Sequence, residues 1–209
     1  FRRLLRFGVP SSLQFSLDVF AFSFFVLMVG RIGKAELVVT NIAISLDSAS
    51  FRPLSGFALG TSILVGQALG RNRPDEAVAA AKTTMTIVAS YMAVFILAFV
   101  FAPQPLLELF RPLDISPESF AAIKDMGVVV LRFVAGYLLL DGLYMIGTAV
   151  LKGAGDTRFI MWSMGVLSVF GMILPMYIGI EVFGKGLYFA WGWSVFFLFQ
   201  LALVTCWRF

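Results

Sequence analysis

The run from Tyr137 to Arg158 carries a carboxylate, Asp141, in the middle of Leu, Gly, Met, Ile and Val. Tyr137 precedes Asp141 by four residues, Tyr144 follows by three and Thr148 by seven, so a helix places all four on one face. The first apolar stretch repeats the pattern, with Ser11, Gln14 and Asp18 spaced three and four apart. In the second, Asn41, Ser45, Ser48 and Arg52 follow at four, three and four, with Asp47 beside them. A carboxylate in an apolar surrounding can hold a proton, exchange it for a sodium ion, or be emptied by protonation. Tyr137, one turn away, can donate to that carboxylate or coordinate a cation. Two readings stand: Asp18 and Asp141 fix a bundle through hydrogen bonds, or they bind and release a positive ion. A charge at the centre of a bilayer costs about 2.5–3.5 kcal/mol on insertion scales, so two acids on polar stripes favour the second. Gln14, Asn41, Asp47, Tyr144 and Thr148 then become candidates for the lining of a shared polar cavity.

These stripes need elements to carry them. Of 209 residues, 60% are hydrophobic and 13% charged, against roughly 45–50% and about 25% in soluble domains. The apolar character recurs along the whole chain, so no single signal segment explains it. Six segments can each supply the roughly 20 residues needed to cross a bilayer: about 8–30, 37–69, 75–101, 122–150, 157–180 and 186–207. The fold class expected is therefore all-α, a polytopic bundle of six transmembrane helices forming a single lobe over 1–209. A chain that starts at Phe1, not Met, and ends at Trp207-Arg208-Phe209 inside what reads as a helix end is expected to be part of a longer protein.

Composition also excludes some chemistry. There is no histidine, which removes the commonest metal ligand and general base, and one cysteine, Cys206, rules out an intrachain disulfide. A net charge of +4 requires no nucleic-acid partner, and no cofactor motif is visible. An enzyme would need a nucleophile, a base and a water path at one depth; no motif of that kind is present, and the chain reads as a non-enzyme.

Helix ends are expected at Gly70, at Asn72–Pro74 with Asp75 and Glu76 opening the third span, at Ser116-Pro117-Glu118, and at Asp156-Thr157. Pro53 frees the carbonyl of Ala49 and predicts a kink in an overlong second helix. Gly56/Gly60 and Gly66/Gly70 are G-x-x-x-G pairs that read as packing contacts. Residues 103–112 form either a surface helix or an ordinary loop. Asp47 and Arg52, five apart, do not face one another, and each is expected to pair with another helix. Nine basic residues fall on one side of the spans and five on the other. That bias places both ends in the cytoplasm of an inner (plasma) membrane protein.

Val65-Gly-Gln-Ala-Leu-Gly70 before a short basic loop, Leu151-Lys-Gly-Ala-Gly-Asp-Thr-Arg158, and Leu5-Arg-Phe-Gly-Val-Pro-Ser-Ser-Leu-Gln14 together resemble the multidrug and toxic compound extrusion (MATE) transporters. The resemblance covers nearly the whole chain. It implies a twelve-helix antiporter of two six-helix lobes, of which this sequence looks like the second. It implies a first lobe as partner, membrane lipid around both, and an organic cation or amphipathic drug exported against sodium or protons. In that lobe an acid on the first helix, with a Tyr and an Asp one turn apart on the fourth, is implicated in binding the coupling ion. The resemblance carries this to Asp18, Tyr137 and Asp141; Asp18 stands where the family often has the longer Glu. The alternative is a flippase for lipid-linked oligosaccharides, whose cavity would carry several basic residues for a pyrophosphate. Arg52 and Arg132 are the basic candidates for such a cavity.

Overall fold

The computed structural model describes residues 2–111 and 117–208, with side chains from 5–111 and 120–208. All regular structure among them is helical: α1 (Arg2–Ile32), α2 (Lys34–Gly70), α3 (Pro74–Phe101), α4 (Pro103–Leu109), α5 (Pro117–Gly153), α6 (Thr157–Val182) and α7 (Leu187–Arg208). Five, namely α1, α3, α5, α6 and α7, are long and apolar enough to cross a membrane. The 37-residue α2 is long enough, but its polar and charged residues keep it below the apolar content of the others. The outer faces present Phe20, Val94, Leu97, Phe170 and Leu203. Apolar side chains on the outside are what a lipid solvent selects, since the backbone is satisfied within each helix.

The helices segregate into two groups. α5 is the hub, packing against α2, α3 and α7, while α1 lies chiefly against α6. The α1–α6 pair is tied at one end by Arg31 of α1, whose guanidinium sits 2.6 Å from Glu181 of α6. Between them lies a cavity. The short segment after α3 folds as a helix: Leu107 of α4 is buried against Gly127 of α5, and Lys124 pairs with Glu108. That ammonium holds the Glu108 carboxyl below the usual carboxylate range.

Proline shapes two helices. α2 continues unbroken through Pro53, and the hydroxyl of Tyr91 on α3 donates to the freed Ala49 carbonyl at 3.4 Å. α6 contains Pro175, which likewise leaves Gly171 without its helical donor; the indole N–H of Trp193 on α7 donates to that carbonyl at 2.8 Å. Around Pro175 the helix widens into π-helical turns over Leu167–Ile173 and Ile178–Val182, as is common where the regular ladder is interrupted. The sequence reading anticipated the first proline and not the second.

The ends of the helices depart from expectation in two places. Asn72 takes a left-handed conformation (φ 59°) and closes α2, with its N–H on the Leu69 carbonyl; Arg73, not Asn72, stands at the N-cap position of α3. Asp156 stands at the N-cap of α6 but makes no capping bond, because Arg208 takes its carboxylate at 2.9 Å. Ser116 and the side chains of Pro117 and Glu118 lie outside the described residues, as do the side chains of Arg2 and Arg3.

The two glycine pairs also divide. A Cβ at Gly66 would lie 3.3 Å from the Gly153 carbonyl, whereas Gly56, Gly60 and Gly70 face open space, so only one of the four makes a close helix contact. The tightest approach is at Gly153, where a Cβ would meet the Ser62 carbonyl oxygen at 2.6 Å and Val65 at 2.9 Å. Backbone cannot yield there without separating α2 from α5. Gly153→Ala is expected to destabilise the detergent-solubilised protein by about 1–3 kcal/mol. Gly60→Ala, placed in open space within a helix, is expected to be neutral or mildly stabilising. Thermal unfolding of the two variants side by side checks this; equal shifts would contradict the packing.

Candidate functional site

The cavity encloses about 1090 Å³ and is lined from α1, α2, α5, α6 and α7. α5 crosses it with its polar face inward: Tyr137, Asp141, Tyr144, Thr148 and Lys152 all line the wall, at the three- and four-residue spacing that keeps one helical face aligned. α1 contributes Ser11, Gln14 and Asp18, and α2 contributes Asp47 and Ser48. Asp141 is buried, at 6% exposure, while Asp18 and Asp47 are half-buried. Neither Asp18 nor Asp141 points to lipid. Three carboxylates therefore share one partly enclosed cavity.

A hydrogen-bonded chain crosses from α1 to α5. The Gln14 amide donates to the Tyr144 hydroxyl at 3.2 Å and reaches Asp18 Oδ2 at 3.4 Å. The Tyr144 hydroxyl in turn faces the sulfur of Met164 on α6 at 3.7 Å. Gln14 is 3% exposed, and its amide oxygen has no partner among the described residues. An unfilled acceptor of this kind, buried beside two acids, suits a cation, a protonated donor or a water. No hydrogen bond joins the Tyr137 phenol to Asp141, so that phenol also remains free for a ligand in the cavity.

Asp18, Tyr137, Asp141, Gln14, Asp47, Tyr144 and Thr148 are thus brought together as the sequence pattern suggested. Asn41 is a correction. It is exposed and outside the lining, which on α2 begins one turn later at Ile44. The cavity is closed at that level by α7, whose Trp191 indole donates to Thr40 at 3.3 Å. A helical stripe fixes direction around the axis and not how far along it a cavity extends. Asp47 and Arg52 are not paired across helices: the Ser50 hydroxyl reaches Asp47 Oδ1 at 3.3 Å from the same helix, and Arg52 is exposed.

The residue that sequence reasoning missed is Lys152, which lies just past the expected end of the fourth span at about 150. The signal was present, since Thr148 and Lys152 are four apart and continue the α5 stripe. Among the described residues no three acidic, His or Cys side chains converge closely enough to hold a metal ion by themselves. A cation here would need neutral oxygens such as Tyr137 and the Gln14 carbonyl alongside one or two of the carboxylates.

With this geometry in view, the comparisons are consistent. The fold is that of a six-helix lobe of MATE-type transporters. Over 99% of the chain it superposes with a TM-score of 0.82 at 16% identity on a structure described as a MOP superfamily transporter from Pyrococcus furiosus with reversed binding-pocket polarity. It superposes at 0.79 and 17% on the outward-facing conformation of a multidrug resistance MATE family transporter. In each case it covers 44% of that chain. The MatE family profile matches residues 10–177. The chain belongs to the MatE family and is a multi-pass membrane protein. Curated relatives include probable multidrug resistance proteins NorM of Brucella suis (28% identical, 83% of this chain, 36% of the relative) and of Rhizobium meliloti (26%, 100% and 44%). The chain spans less than half the length of these relatives.

The Gln14 bridge makes a testable energetic statement. Tyr144→Phe removes the acceptor and leaves a buried amide N–H short of a partner, and is expected to cost about 1–3 kcal/mol. Adding Gln14→Leu in the same chain is expected to restore part of that loss, because both members of the bond are then gone. Thermal unfolding of the two single variants and the double variant measures the coupling; strict additivity would contradict the bridge.

Proposed function

We propose that the chain is one lobe of a secondary antiporter that exports organic cations or amphipathic drugs in exchange for sodium ions or protons. The observation that carries this reading is the convergence of Asp18 and Asp141, from different helices, on one cavity with a polar route between them. The relatives' description as multidrug resistance proteins supports the substrate class.

The mechanism follows from electrostatics. Carboxylates gathered in a partly enclosed, low-dielectric space repel one another. Entry of a proton or cation relieves that repulsion and allows α1 to approach α5 more closely, with Gln14 as the link between them. Ion entry thereby favours one arrangement of the α1–α6 pair relative to the α5 hub, and ion loss favours the other. The ion shifts the balance only by its differential affinity for the two states. In a two-lobed transporter, substrate lies between the lobes near mid-membrane and the lobes rock about it. Coupling then requires that the drug and the ion favour opposite states, with ion uptake accompanying drug release outside. The cavity also offers Phe22, Phe25, Phe51 and Met145 as apolar surface for an aromatic body.

The competing flippase reading calls for several basic side chains in the cavity. Among the described residues Lys152 is the one Lys or Arg in the lining; Arg52 and Arg132 are exposed and lie outside it. Three acids against one base favour a positively charged cargo over a pyrophosphate.

The test is transport by the full-length protein in vesicles, under an imposed sodium gradient and then a proton gradient. Asp141→Asn is expected to lower gradient-driven drug transport at least about tenfold under whichever ion couples, since about 1.4 kcal/mol of lost coupling suffices for that factor. Unchanged transport under both gradients would remove Asp141 from the coupling role.

A further inference from the structure

The end of the cavity away from Trp191 is chemically different from its middle. α5 ends there, and the turn to α6 brings Lys152 and Thr157 to the same wall as Phe7 and Ser11 of α1. Phe7 closes the corner, its ring within 3.4 Å of where a Cβ on Gly155 would stand. Gly155 adopts φ 84°, the left-handed conformation that the tight turn requires.

Three features of this corner favour a negative group. The Lys152 side chain is half-buried and, among the described residues, makes no ion-pair contact; Asp18 is the carboxylate that acts on it across the cavity, and the nearby Asp156 is taken by Arg208. The Thr157 hydroxyl is 4% exposed, faces the cavity, and has no hydrogen-bond partner among the described residues. Thr157 also opens α6, whose first turn lacks a side-chain cap, so its N–H groups and the positive end of its dipole remain available. A cation, a free hydroxyl and an uncapped helix start together match an oxyanion. Asp141 and Lys152 are eleven residues apart on α5, about 16 Å of helix rise, so one elongated ligand can reach both.

We propose that Lys152, Thr157 and the first turn of α6 form an oxyanion subsite, which takes a carboxylate or phosphate group at the end of the cavity away from Asp141. The inference rests on the export reading for one point only, that the ligand's positive end lies at Asp141. The subsite gives the lobe a reason to accept molecules carrying both charges, and the spacing of Asp141 and Lys152 sets the length it prefers.

The test is equilibrium binding to the purified full-length protein in nanodiscs of neutral lipid, which needs no ion gradient. Two fluorescent naphthyl amines serve as probes, differing only in a terminal carboxylate or its methyl ester. Lys152→Met is expected to raise the Kd of the acid about tenfold, as loss of a charge-assisted bond does, and to leave the ester within about twofold. Lys152→Arg is expected to restore acid binding, which separates charge from folding. Repeating the titration in nanodiscs containing phosphatidylglycerol distinguishes sources. Weaker acid binding in the parent protein but not in Lys152→Met means that a lipid phosphate competes for the same subsite, which also supports it. Equal change in both probes, or no change in either, overturns the proposal. Failure of the antiport reading would appear instead as unimpaired gradient-driven transport in Asp141→Asn, with this binding difference intact.

Discussion

Hydrocarbon cannot solvate a carboxylate, and the organisation of this lobe follows from that constraint. Asp18 on α1 and Asp141 on α5 must both turn away from lipid, and the fold gives them a common space by splitting its helices into an α1–α6 pair and an α2–α3–α5–α7 cluster. Gln14 and Tyr144 span the split and keep it polar where the acids stand. The outward faces carry Phe, Leu and Val.

The same economy governs the backbone. A proline inside a membrane helix strands a carbonyl, and in both α2 and α6 an aromatic donor from a neighbouring helix supplies the missing bond. The two sites differ in strength, 3.4 Å at a more exposed position and 2.8 Å at a more buried one. α6 also departs from regular α geometry on both sides of Pro175. It is the partner of α1, so the least regular helix lies in the group expected to move.

Much of the architecture was legible in the sequence because bilayer thickness fixes helix length and the 3.6-residue turn fixes which side chains share a face. The stripe from Tyr137 to Thr148 needed no tertiary information, and neither did Ser11–Gln14–Asp18. Depth was not legible. Asn41 obeys the periodicity of α2, yet lies beyond the point where Trp191 and Thr40 close the cavity. Lys152 obeys the periodicity of α5 but lies past the point, about residue 150, where the fourth span was expected to end. Local signals at helix ends misled for a related reason: Asn72 and Asp156 are residue types that cap helices, but a left-handed turn and a distant arginine used them otherwise. The π-helical turns leave no pattern that a residue-by-residue reading detects, since they answer to packing around Pro175.

If the two acids occupy one cavity, each must respond to the charge of the other. Infrared difference spectroscopy of the carboxyl C=O band, recorded against pH on the full-length protein, reads this directly. With Asp18→Asn, the band assigned to Asp141 by its loss in Asp141→Asn is expected to appear at a displaced pH, and the reciprocal pair to show the same coupling. Carboxyl bands that titrate at unchanged pH in both single variants would mean that the acids do not sense one another, and the shared site would be contradicted.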